Sequence, residues 1–357
     1  MTADAFTLPE EDLRRIVAES GADLSAMRGG RIVLTGCTGF FGKWLVETLL
    51  HADRELGLGL RLGVLTRNAA GFYAEMPHLR QFRNLGTINR SIQEITSGDF
   101  SGPVTHIIHG ANLLNDGSAD WALRHMQTAV EGTRRLLSAA GKHGGAAVLL
   151  LSSGAVYASG LARNVVPFRE EAACAEDYLS EPGVYAACKY FLEMFCAAYG
   201  RAAGLRIPTA RCFTFFGPYM PLHARQALSS FFNDILHDRT VTVTGDGTAV
   251  RSYMYAADLI IRLLAILVRG RHGTPYNVGS ELPVSVKDLA HCIAAVSGNN
   301  PEIIIQGKDV RGNAPAIYLP DASRVKSELG VCGEVNFEEA LRRTFRWYMS
   351  SATSRRG

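Results

Sequence analysis

The chain has 357 residues, of which 47% are hydrophobic and 20% are charged, and its formal net charge is +3. This composition is typical of a folded globular protein and excludes a disordered or fibrous chain. The small basic excess, without any run of lysine and arginine, argues against nucleic acid as a partner. We expect no membrane partner, since no apolar run reaches the about 20 residues that a membrane span needs. We also expect no secretory signal, because the N-terminus opens with acidic and polar residues.

Residues 1–29 precede the first predicted strand, and Pro9 with the acidic residues after it opens a short helix. Its one apolar face is narrow, at Ile16 and Val17. We therefore expect this segment to be a solvated N-terminal appendage, and residues 350–357 to be a frayed tail.

From residue 31 onward, short apolar runs alternate with helical stretches. Strands are predicted at residues 31–35, 60–66, 105–109, 147–152 and 206–213, and helices at 43–51, 121–140 and 184–200. Strands this apolar are covered on both faces, and their alternation with helices predicts an α/β protein with a doubly wound parallel sheet of Rossmann type. Helices at 226–237 and 257–268 and strands at 241–244 and 303–305 predict a smaller C-terminal α/β lobe.

The first predicted strand runs into a loop with G-x-x-G-x-x-G spacing, and a helix follows. Gly36 would make the tight turn, Gly39 would let the backbone approach a pyrophosphate, and Gly42 would allow close packing of helix on strand. The helix N-terminus adds N–H groups and a favourable dipole. This context predicts a dinucleotide site whose loop residues are Gly36, Thr38, Gly39, Phe40, Phe41 and Gly42.

The end of the second strand distinguishes NAD from NADP, because an acid there binds the ribose and a basic residue pairs with a 2′-phosphate. This chain has no acid there, and Arg67 could clamp the phosphate. The alternative is an ordinary exposed arginine. Asp99, followed by Phe100, could accept a hydrogen bond from adenine, or could simply be a turn aspartate. NAD and NADP both stay open, and Arg67 favours NADP.

A second group of residues predicts catalysis. Ser153 closes the fourth predicted strand, and Tyr185 and Lys189 lie four residues apart, which places them on one face of a helix. An ammonium beside the phenol favours phenolate, which can take a proton from a substrate hydroxyl while hydride leaves the same carbon. Ser153 could hold that oxygen. Glu193, one turn further on, could pair with Lys189.

Two other kinds of chemistry are disfavoured. His106 and His109 have no clustered carboxylate or cysteine, so no metal site is predicted. The cysteines show no C-x-x-C pair, and their apolar or helical contexts predict reduced, mostly buried thiols in a cytoplasmic protein. They are Cys37, Cys174, Cys188, Cys196, Cys212, Cys292 and Cys332.

Together, these motifs resemble the extended short-chain dehydrogenase/reductase family, in its nucleotide-sugar epimerase/dehydratase branch. The match covers residues 31–349 and includes His109-Gly110-Ala111, Gly217-Pro218, Gly245-Asp246-Gly247 and Tyr276-Asn277-Val278-Gly279. The resemblance implies a cofactor domain at residues 30–217, which binds NAD or NADP. It also implies a lobe mainly at 218–349, which binds a nucleoside-diphosphate sugar, with segments that can cross between the two. Members of the family commonly form homodimers through the helix that carries Tyr185 and its neighbour.

The resemblance also assigns individual residues. His109, Gly110 and Ala111 would line the cofactor, and Ser153, Thr214 and Arg251 would contact the substrate. Arg251 matches the position that binds the diphosphate, although an ion pair with Asp258 is the alternative. Thr214 stands where the family usually has Asn. Phe231 and Phe232 lie where the family holds the nucleotide base, and two adjacent helical residues cannot both face one pocket.

The departures from the family pattern bear on the reaction. The 4,6-dehydratases carry Asp-Glu just after the catalytic Ser or Thr, whereas this chain has Gly154 and Ala155. Decarboxylases keep the Glu, so Ala155 argues against them as well. C4 redox chemistry on a nucleoside-diphosphate hexose remains, and we favour a 4-epimerase. The alternatives are an NADPH-dependent 4-ketoreductase and, from another class, a non-catalytic NAD(P)-binding sensor or scaffold.

Overall fold

The computed structural model describes residues 7–113, 116–157, 167–172, 180–224, 226–298, 301–307 and 316–354. Its strands are β1 (Arg31–Thr35), β2 (Arg61–Thr66), β3 (Leu85–Asn89), β4 (His106–His109), β5 (Ala147–Ser153), β6 (Thr209–Cys212), β7 (Phe215–Phe216), β8 (Val241–Val243), β9 (Val250–Arg251), β10 (Met254–Tyr255), β11 (Pro275–Val278), β12 (Val284–Ser285), β13 (Ile303–Ile305) and β14 (Ile317–Tyr318). Its helices are α1 (Glu10–Ala26), α2 (Phe40–Leu56), α3 (Ala69–Glu75), α4 (Trp121–Gly141), α5 (Glu181–Ala203), α6 (Ala227–Leu236), α7 (Ala256–Arg269), α8 (Val286–Ser297), α9 (Ser323–Leu329) and α10 (Phe337–Ser354).

Seven parallel strands form the central sheet, in the spatial order β11–β6–β5–β4–β1–β2–β3. Alternate residues of each strand face two separate hydrophobic cores, so that Ile32 and Leu34 lie in one core and Val33 in the other. The predicted doubly wound parallel sheet is confirmed. The strand order changes direction beside β1, and a crevice opens there at the carboxyl ends of the strands, which is where such sheets bind ligands.

Two strands of this sheet, β3 and β11, were not predicted from the sequence. β3 is a half-exposed edge strand that contains Gly86, so it offers no apolar run. β11 begins with Pro275 and pairs with β6 at the other edge. A proline is tolerated at the start of an edge strand because no ladder partner needs its missing N–H. Through β11, a segment from the predicted C-terminal lobe completes the sheet of the N-terminal one.

The expectation of a solvated N-terminal appendage is wrong. α1 packs along α7, and Leu13, Ile16 and Leu24 are each at most 1% exposed within the main core. The reason lies in α7, whose residues 256–267 are all buried. A helix that is apolar on every side must be covered on every side, and α1 supplies one of those covers.

Buried polar contacts also hold α1 in place. The Asp12 carboxylate accepts hydrogen bonds from the Tyr255 hydroxyl at 2.6 Å and from the Arg343 guanidinium at 2.7 Å. Burial raises the pKa of the Asp12 carboxyl, against these two hydrogen bonds, which lower it. Arg15 forms an ion pair with the buried Asp258 at 2.6 Å. Because β10, α7 and α10 contribute these partners, α1 is joined to the C-terminal half of the chain.

Some smaller expectations can also be compared with the structure. α10 continues into the predicted tail as far as Ser354. Cys37, Cys188, Cys196 and Cys212 are buried, Cys292 is half-buried and Cys332 is exposed, whereas Cys174 lies outside the described residues. Within the described part of the chain, no helix combines the length and apolarity needed to span a bilayer.

We predict that Ile16→Ala lowers the free energy of unfolding by about 2–5 kcal/mol, because it leaves a cavity at a fully buried site. Urea denaturation of the full chain measures this change. Arg14→Ala on the outer face of the same helix, where the side chain is 72% exposed, is the matched control and should change stability by less than about 0.5 kcal/mol. Equal effects of the two substitutions would mean that α1 is not docked.

Candidate active site

The glycine loop between β1 and α2 is shaped for a phosphate group. Gly36 has φ +79°, and a Cβ there would lie 2.6 Å from the carbonyl oxygen of Gly110. A Cβ on Gly42 would lie 2.2 Å from Cα of Cys37, so this position holds the helix close to the loop. Gly39 is the N-cap residue of α2, and a Cβ there would lie 3.3 Å from the carbonyl oxygen of Gly36. A glycine turn at a helix N-terminus fits the pyrophosphate of a dinucleotide.

The other predicted loop residues lie at the rim of this turn. Thr38 is exposed, and Phe40 and Phe41 are half-buried in the first turn of α2. The Phe41 ring lies edge-on to Phe215, with 5.2 Å between ring centroids. Phe41 therefore also packs the loop against β7, which brings the C-terminal half of the chain to the cofactor crevice.

A buried threonine and histidine join the ends of β1 and β4. The Thr35 hydroxyl oxygen accepts hydrogen bonds from the backbone N–H groups of Gly110 and Ala111, at 3.1 and 2.9 Å. The His109 ring lies between the Thr35 and Thr133 hydroxyls, each at 2.9 Å. Burial lowers the pKa of His109 to about 3, so the ring is neutral at physiological pH. Because both ring nitrogens are hydrogen-bonded, His109 holds the ends of β1 and β4 and the helix α4 together.

The three predicted catalytic residues lie on β5 and α5, which pack against each other. Ser153 is the last residue of that strand, and its hydroxyl oxygen accepts a hydrogen bond from the N–H of Ala155 at 3.1 Å. Tyr185 and Lys189 lie one turn apart on α5, with the Lys189 ammonium 5.8 Å from the centre of the Tyr185 ring. Lys189 is buried and donates to the carbonyl of Leu151 at 3.1 Å. A positive charge is thereby fixed beside the phenol.

The predicted pairing of Glu193 with Lys189 is wrong. Glu193 instead forms a buried ion pair with Arg211 of β6, whose Nη2 lies 2.7 Å from a carboxylate oxygen. It also accepts a hydrogen bond from the Ser152 hydroxyl. The planar guanidinium, which binds a carboxylate through two N–H groups, is the better-fitting partner in this position. Its remaining N–H groups reach the Tyr157 hydroxyl at 2.8 Å, so the pair ties α5 to the sheet.

One residue of the site was not singled out from the sequence. Tyr318 lies so close to Gly154 that a Cβ on the glycine would be 2.2 Å from the Tyr318 hydroxyl oxygen. Its ring centroid lies 4.7 Å from that of Phe213 and 5.7 Å from the Arg251 guanidinium. Burial raises the pKa of the Tyr318 hydroxyl, and the nearby Tyr185 adds to this effect. The sequence held little signal, because Tyr318 belongs to no recognised motif.

Arg251 is not paired with Asp258, so that alternative is excluded. Asp258 pairs with Arg15 of α1 instead. The Arg251 guanidinium donates to the carbonyls of Val250 and Ala316, at 2.9 and 3.1 Å, and its side chain is half-exposed. These backbone carbonyls hold the Arg251 guanidinium in place, and because they are uncharged they do not neutralise it. It therefore remains able to bind an anion.

A cavity of about 580 Å³ lies beyond this arginine, between α6 and residues 242–249. Phe231 contributes to its wall, whereas Phe232 is buried in the main core. Both rings are at most 2% exposed, so the one that reaches the cavity does so from within the packed interior. Thr214 lies just before β7, where its carbonyl accepts a hydrogen bond from the N–H of Met254.

The residues assigned to the adenosine end lie near the neighbouring strands. Arg67 directly follows β2, is exposed and makes no ion pair with the described residues. Asp99 caps its own turn through Thr96 and also pairs with Arg90 at 3.1 Å. Phe100 is buried in the core on that face. The local contacts of Asp99 match the turn aspartate that was the alternative, and its contact with adenine stays a prediction.

Comparison with known proteins agrees with this geometry. The model of the NAD dependent epimerase/dehydratase family matches residues 32–279. A dTDP-glucose 4,6-dehydratase of Streptomyces niveus is 25% identical over 321 residues, which cover 89% of this chain and 92% of that protein. UDP-glucuronic acid decarboxylase 1 of Arabidopsis thaliana is 28% identical over 314 residues, which cover 88% of this chain and 68% of that protein.

A solved structure shows the same fold. It is that of a UDP-N-acetylglucosamine 4-epimerase from Methanobrevibacter ruminantium in complex with UDP-N-acetylmuramic acid. The TM-score is 0.77 at 21% sequence identity, and the match covers 91% of this chain and 100% of that one. With its glycine loop, its parallel sheet and the family match over most of its length, this chain belongs to the NAD-dependent epimerase/dehydratase family, the nucleotide-sugar branch of the extended short-chain dehydrogenases/reductases.

Proposed function

We propose that this protein catalyses oxidation and reduction at C4 of a nucleoside-diphosphate hexose, with 4-epimerisation as the overall reaction. The contact between Gly154 and Tyr318 carries this proposal. Loss of water from the sugar needs an acid and a base, and the family's dehydratases place them at the positions of Gly154 and Ala155. Here neither residue can exchange a proton, and the Tyr318 hydroxyl fills the space that a side chain at 154 would need. The site therefore favours chemistry confined to C4.

In the proposed mechanism, the Tyr185 phenolate takes the proton of the C4 hydroxyl. The buried Lys189 ammonium stabilises that phenolate by Coulomb attraction. Ser153 holds the same oxygen by a hydrogen bond as it becomes a carbonyl. A bound nicotinamide supplies the hydride acceptor and donor. After the keto sugar turns over in the site, the hydride would return to the opposite face of C4, and Tyr185 returns the proton to the same oxygen.

The rest of the substrate would lie between Tyr318 and the cavity. Arg251, held by two carbonyls and left with its charge, is the proposed contact for the diphosphate. The cavity beside α6, with Phe231 in its wall, is large enough for a nucleotide base. Thr214, at the start of β7, is the proposed contact near the sugar. The proposed position of the hexose is therefore beside Ser153.

The test uses nucleoside-diphosphate hexoses that carry deuterium at C4, incubated with the protein as purified and without added cofactor. A 4-epimerase returns the label to C4 with inverted configuration, because the hydride that leaves is the one that comes back. Nuclear magnetic resonance of the product measures this. A 4-keto-6-deoxy product would instead show dehydration, and a requirement for added NADPH with a 4-keto substrate would show the reductase.

The matched control for this test is Tyr185→Phe, which removes only the hydroxyl. Turnover should fall by about 10²–10⁴-fold, the usual contribution of a general acid–base group. Cofactor affinity, measured by fluorescence titration, should stay nearly unchanged. Tyr190→Phe, on the outer face of the same helix, should keep full activity. A fully active Tyr185→Phe variant would contradict the assignment.

The cofactor of this chain is proposed to be NAD or NADP, and Arg67 favours NADP. The guanidinium lies just past β2, is exposed and makes no ion pair within the described residues. The acid that would repel a 2′-phosphate is missing, since the strand ends on Thr66. A charge-assisted contact between an exposed arginine and a phosphate is strong at low salt and weakens as salt screens it.

We predict that the wild-type protein binds NADP(H) at least as tightly as NAD(H), with a preference that shrinks at high salt. Arg67→Ala should reduce that preference and leave NAD(H) binding unchanged. Calorimetric titration of both cofactors measures this. Arg201→Ala, which removes an exposed arginine on α5, is the control and should have no effect. Much tighter binding of NAD(H) by the wild type would show that Arg67 does not face the phosphate.

A homodimer is proposed from an exposed apolar surface on α4 and α5. These two helices pack against each other, and their outer faces carry large apolar side chains that are 38–60% exposed. These residues are Leu123, Met126, Tyr190, Phe191 and Met194. Contiguous apolar patches of this kind mark protein interfaces. A two-fold axis across the patch would bring the same four helices together and cover both copies at once.

We predict that the wild-type protein elutes as a dimer in size-exclusion chromatography with light scattering, and that Met194→Glu converts it to a monomer. A charge at the centre of the interface would lose its hydration on association. Leu282→Glu, at an equally exposed leucine elsewhere, is the control and should remain dimeric. A monomeric wild type would exclude this interface.

A further inference from the structure

A second cavity, of about 570 Å³, lies at the opposite end of the sheet from the glycine loop. Arg31, the first residue of β1, and Arg61, the first residue of β2, both line it. β1 is about 13 Å long, counted as four steps of about 3.3 Å, so this end of the strand is well separated from the turn at Gly36. We call this cavity the amino-end groove.

Two positively charged residues, Arg31 and Arg61, occupy neighbouring positions in the lining of this groove. Arg31 and Arg61 are direct register partners in the parallel pair β1–β2, so their side chains leave the sheet on the same face. A third arginine, Arg83, also lines the groove. None of the three makes an ion pair or a side-chain hydrogen bond with the described residues, although most arginines of this chain do. Like charges placed directly opposite each other on neighbouring strands destabilise a sheet unless something neutralises them.

Asp53 is an acid in the wall of the same groove, and among the described residues it makes no ion pair with the three arginines. Its two carboxylate oxygens accept hydrogen bonds from the Leu60 N–H at 2.7 Å and from the Asn84 side chain at 2.9 Å. These contacts tie the end of α2 to the strands. They hold Asp53 as part of the wall.

The floor of the groove is open backbone at Gly86 and apolar side chains beside it. Gly63 of β2 and Gly86 of β3 are register partners, but a Cβ on Gly63 would lie 3.4 Å from Ile88 and 3.7 Å from Val33, whose side chains cover it. A Cβ on Gly86 would meet only the carbonyl oxygen of Leu62, at 4.0 Å, so the space in front of it is open. Glycine inside a strand is unfavourable and often marks a place where a ligand comes close to the backbone. Val33 and Ile88 border this floor with apolar side chains.

We propose that the amino-end groove is a second ligand site, which binds a phosphorylated small molecule. Its phosphate groups contact Arg31, Arg61 and Arg83, and its flat or apolar part lies on the backbone of Gly86, beside Val33 and Ile88. Guanidinium groups bind phosphate oxygens in pairs, which accounts for two of them at directly opposed positions. The open space in front of Gly86 leaves room for an organic group attached to the phosphate.

The test is calorimetric titration of inorganic pyrophosphate into the full chain saturated with NAD⁺ and UDP, which fill the sites of the proposed reaction. The wild type should bind one equivalent, and Arg31→Gln or Arg61→Gln should weaken binding by about tenfold or more. Arg201→Gln, at an exposed arginine outside the groove, should bind as the wild type does. Failure of the wild type to bind, or unchanged binding by both groove variants, would overturn the proposal.

A second variant tests the floor. Gly86→Val fits an open, extended strand position and should fold. It should abolish binding of phenyl phosphate, which carries a flat ring, and leave pyrophosphate binding intact. Equal binding of phenyl phosphate by the wild type and by Gly86→Val would show that the ring of the ligand does not lie on Gly86. Neither outcome depends on turnover, so the result is separate from that of the proposed reaction.

Discussion

A buried ion pair between Glu193 and Arg211 holds the parts of the catalytic site together. It joins α5, which carries Tyr185 and Lys189, to β6, next to the strand that ends in Ser153. Removing one partner of such a pair leaves an uncompensated charge in the interior, which lowers the free energy of unfolding by about 3–5 kcal/mol. The distance between the phenol and the serine therefore depends on a contact that touches neither of them.

The same arginine extends this hold to the C-terminal half of the chain. It donates to the Tyr157 hydroxyl, which in turn donates to the Asn277 side chain at 2.7 Å. Asn277 lies on β11 and also donates to the carbonyls of Phe168 and Asp321, at 2.8 and 3.1 Å. One hydrogen-bonded network thus positions both the strand that completes the sheet and the segment that follows Tyr318. Networks of this kind keep a unique arrangement because each unsatisfied buried group would be costly.

The parallel sheet gives the molecule two chemically different ends. At the carboxyl ends of β1 and β4, glycines and the first turn of α2 offer backbone N–H groups, and the neutral His109 braces the wall. At the amino ends of β1 and β2, near the C-terminal end of α2, guanidinium side chains line the groove. Both ends favour anions, one through oriented backbone and the other through side-chain charge. Since β1 spans the distance between them, it joins the two.

The sequence by itself predicted five of the seven strands of the sheet, the glycine loop and the candidate catalytic residues, because each depends on local spacing. Apolar runs define buried strands, three glycines at fixed intervals define the loop, and four residues on a helix place Tyr185 and Lys189 on one face. The absence of an acid and base after Ser153 was equally plain. These patterns require no knowledge of what lies far away in the chain.

Only the tertiary structure decided the pairings between distant residues. α1 looked like an appendage because its narrow apolar face finds its partner, α7, more than 200 residues later. Glu193 has Lys189 one turn away on the same helix, yet it pairs with Arg211. The position of β6 brings the planar guanidinium of Arg211 to the Glu193 carboxylate. The contact of Tyr318 with Gly154 and the opposition of Arg31 and Arg61 likewise join segments that are remote in sequence. Local pattern cannot specify such contacts, because they depend on how the strands and helices pack together.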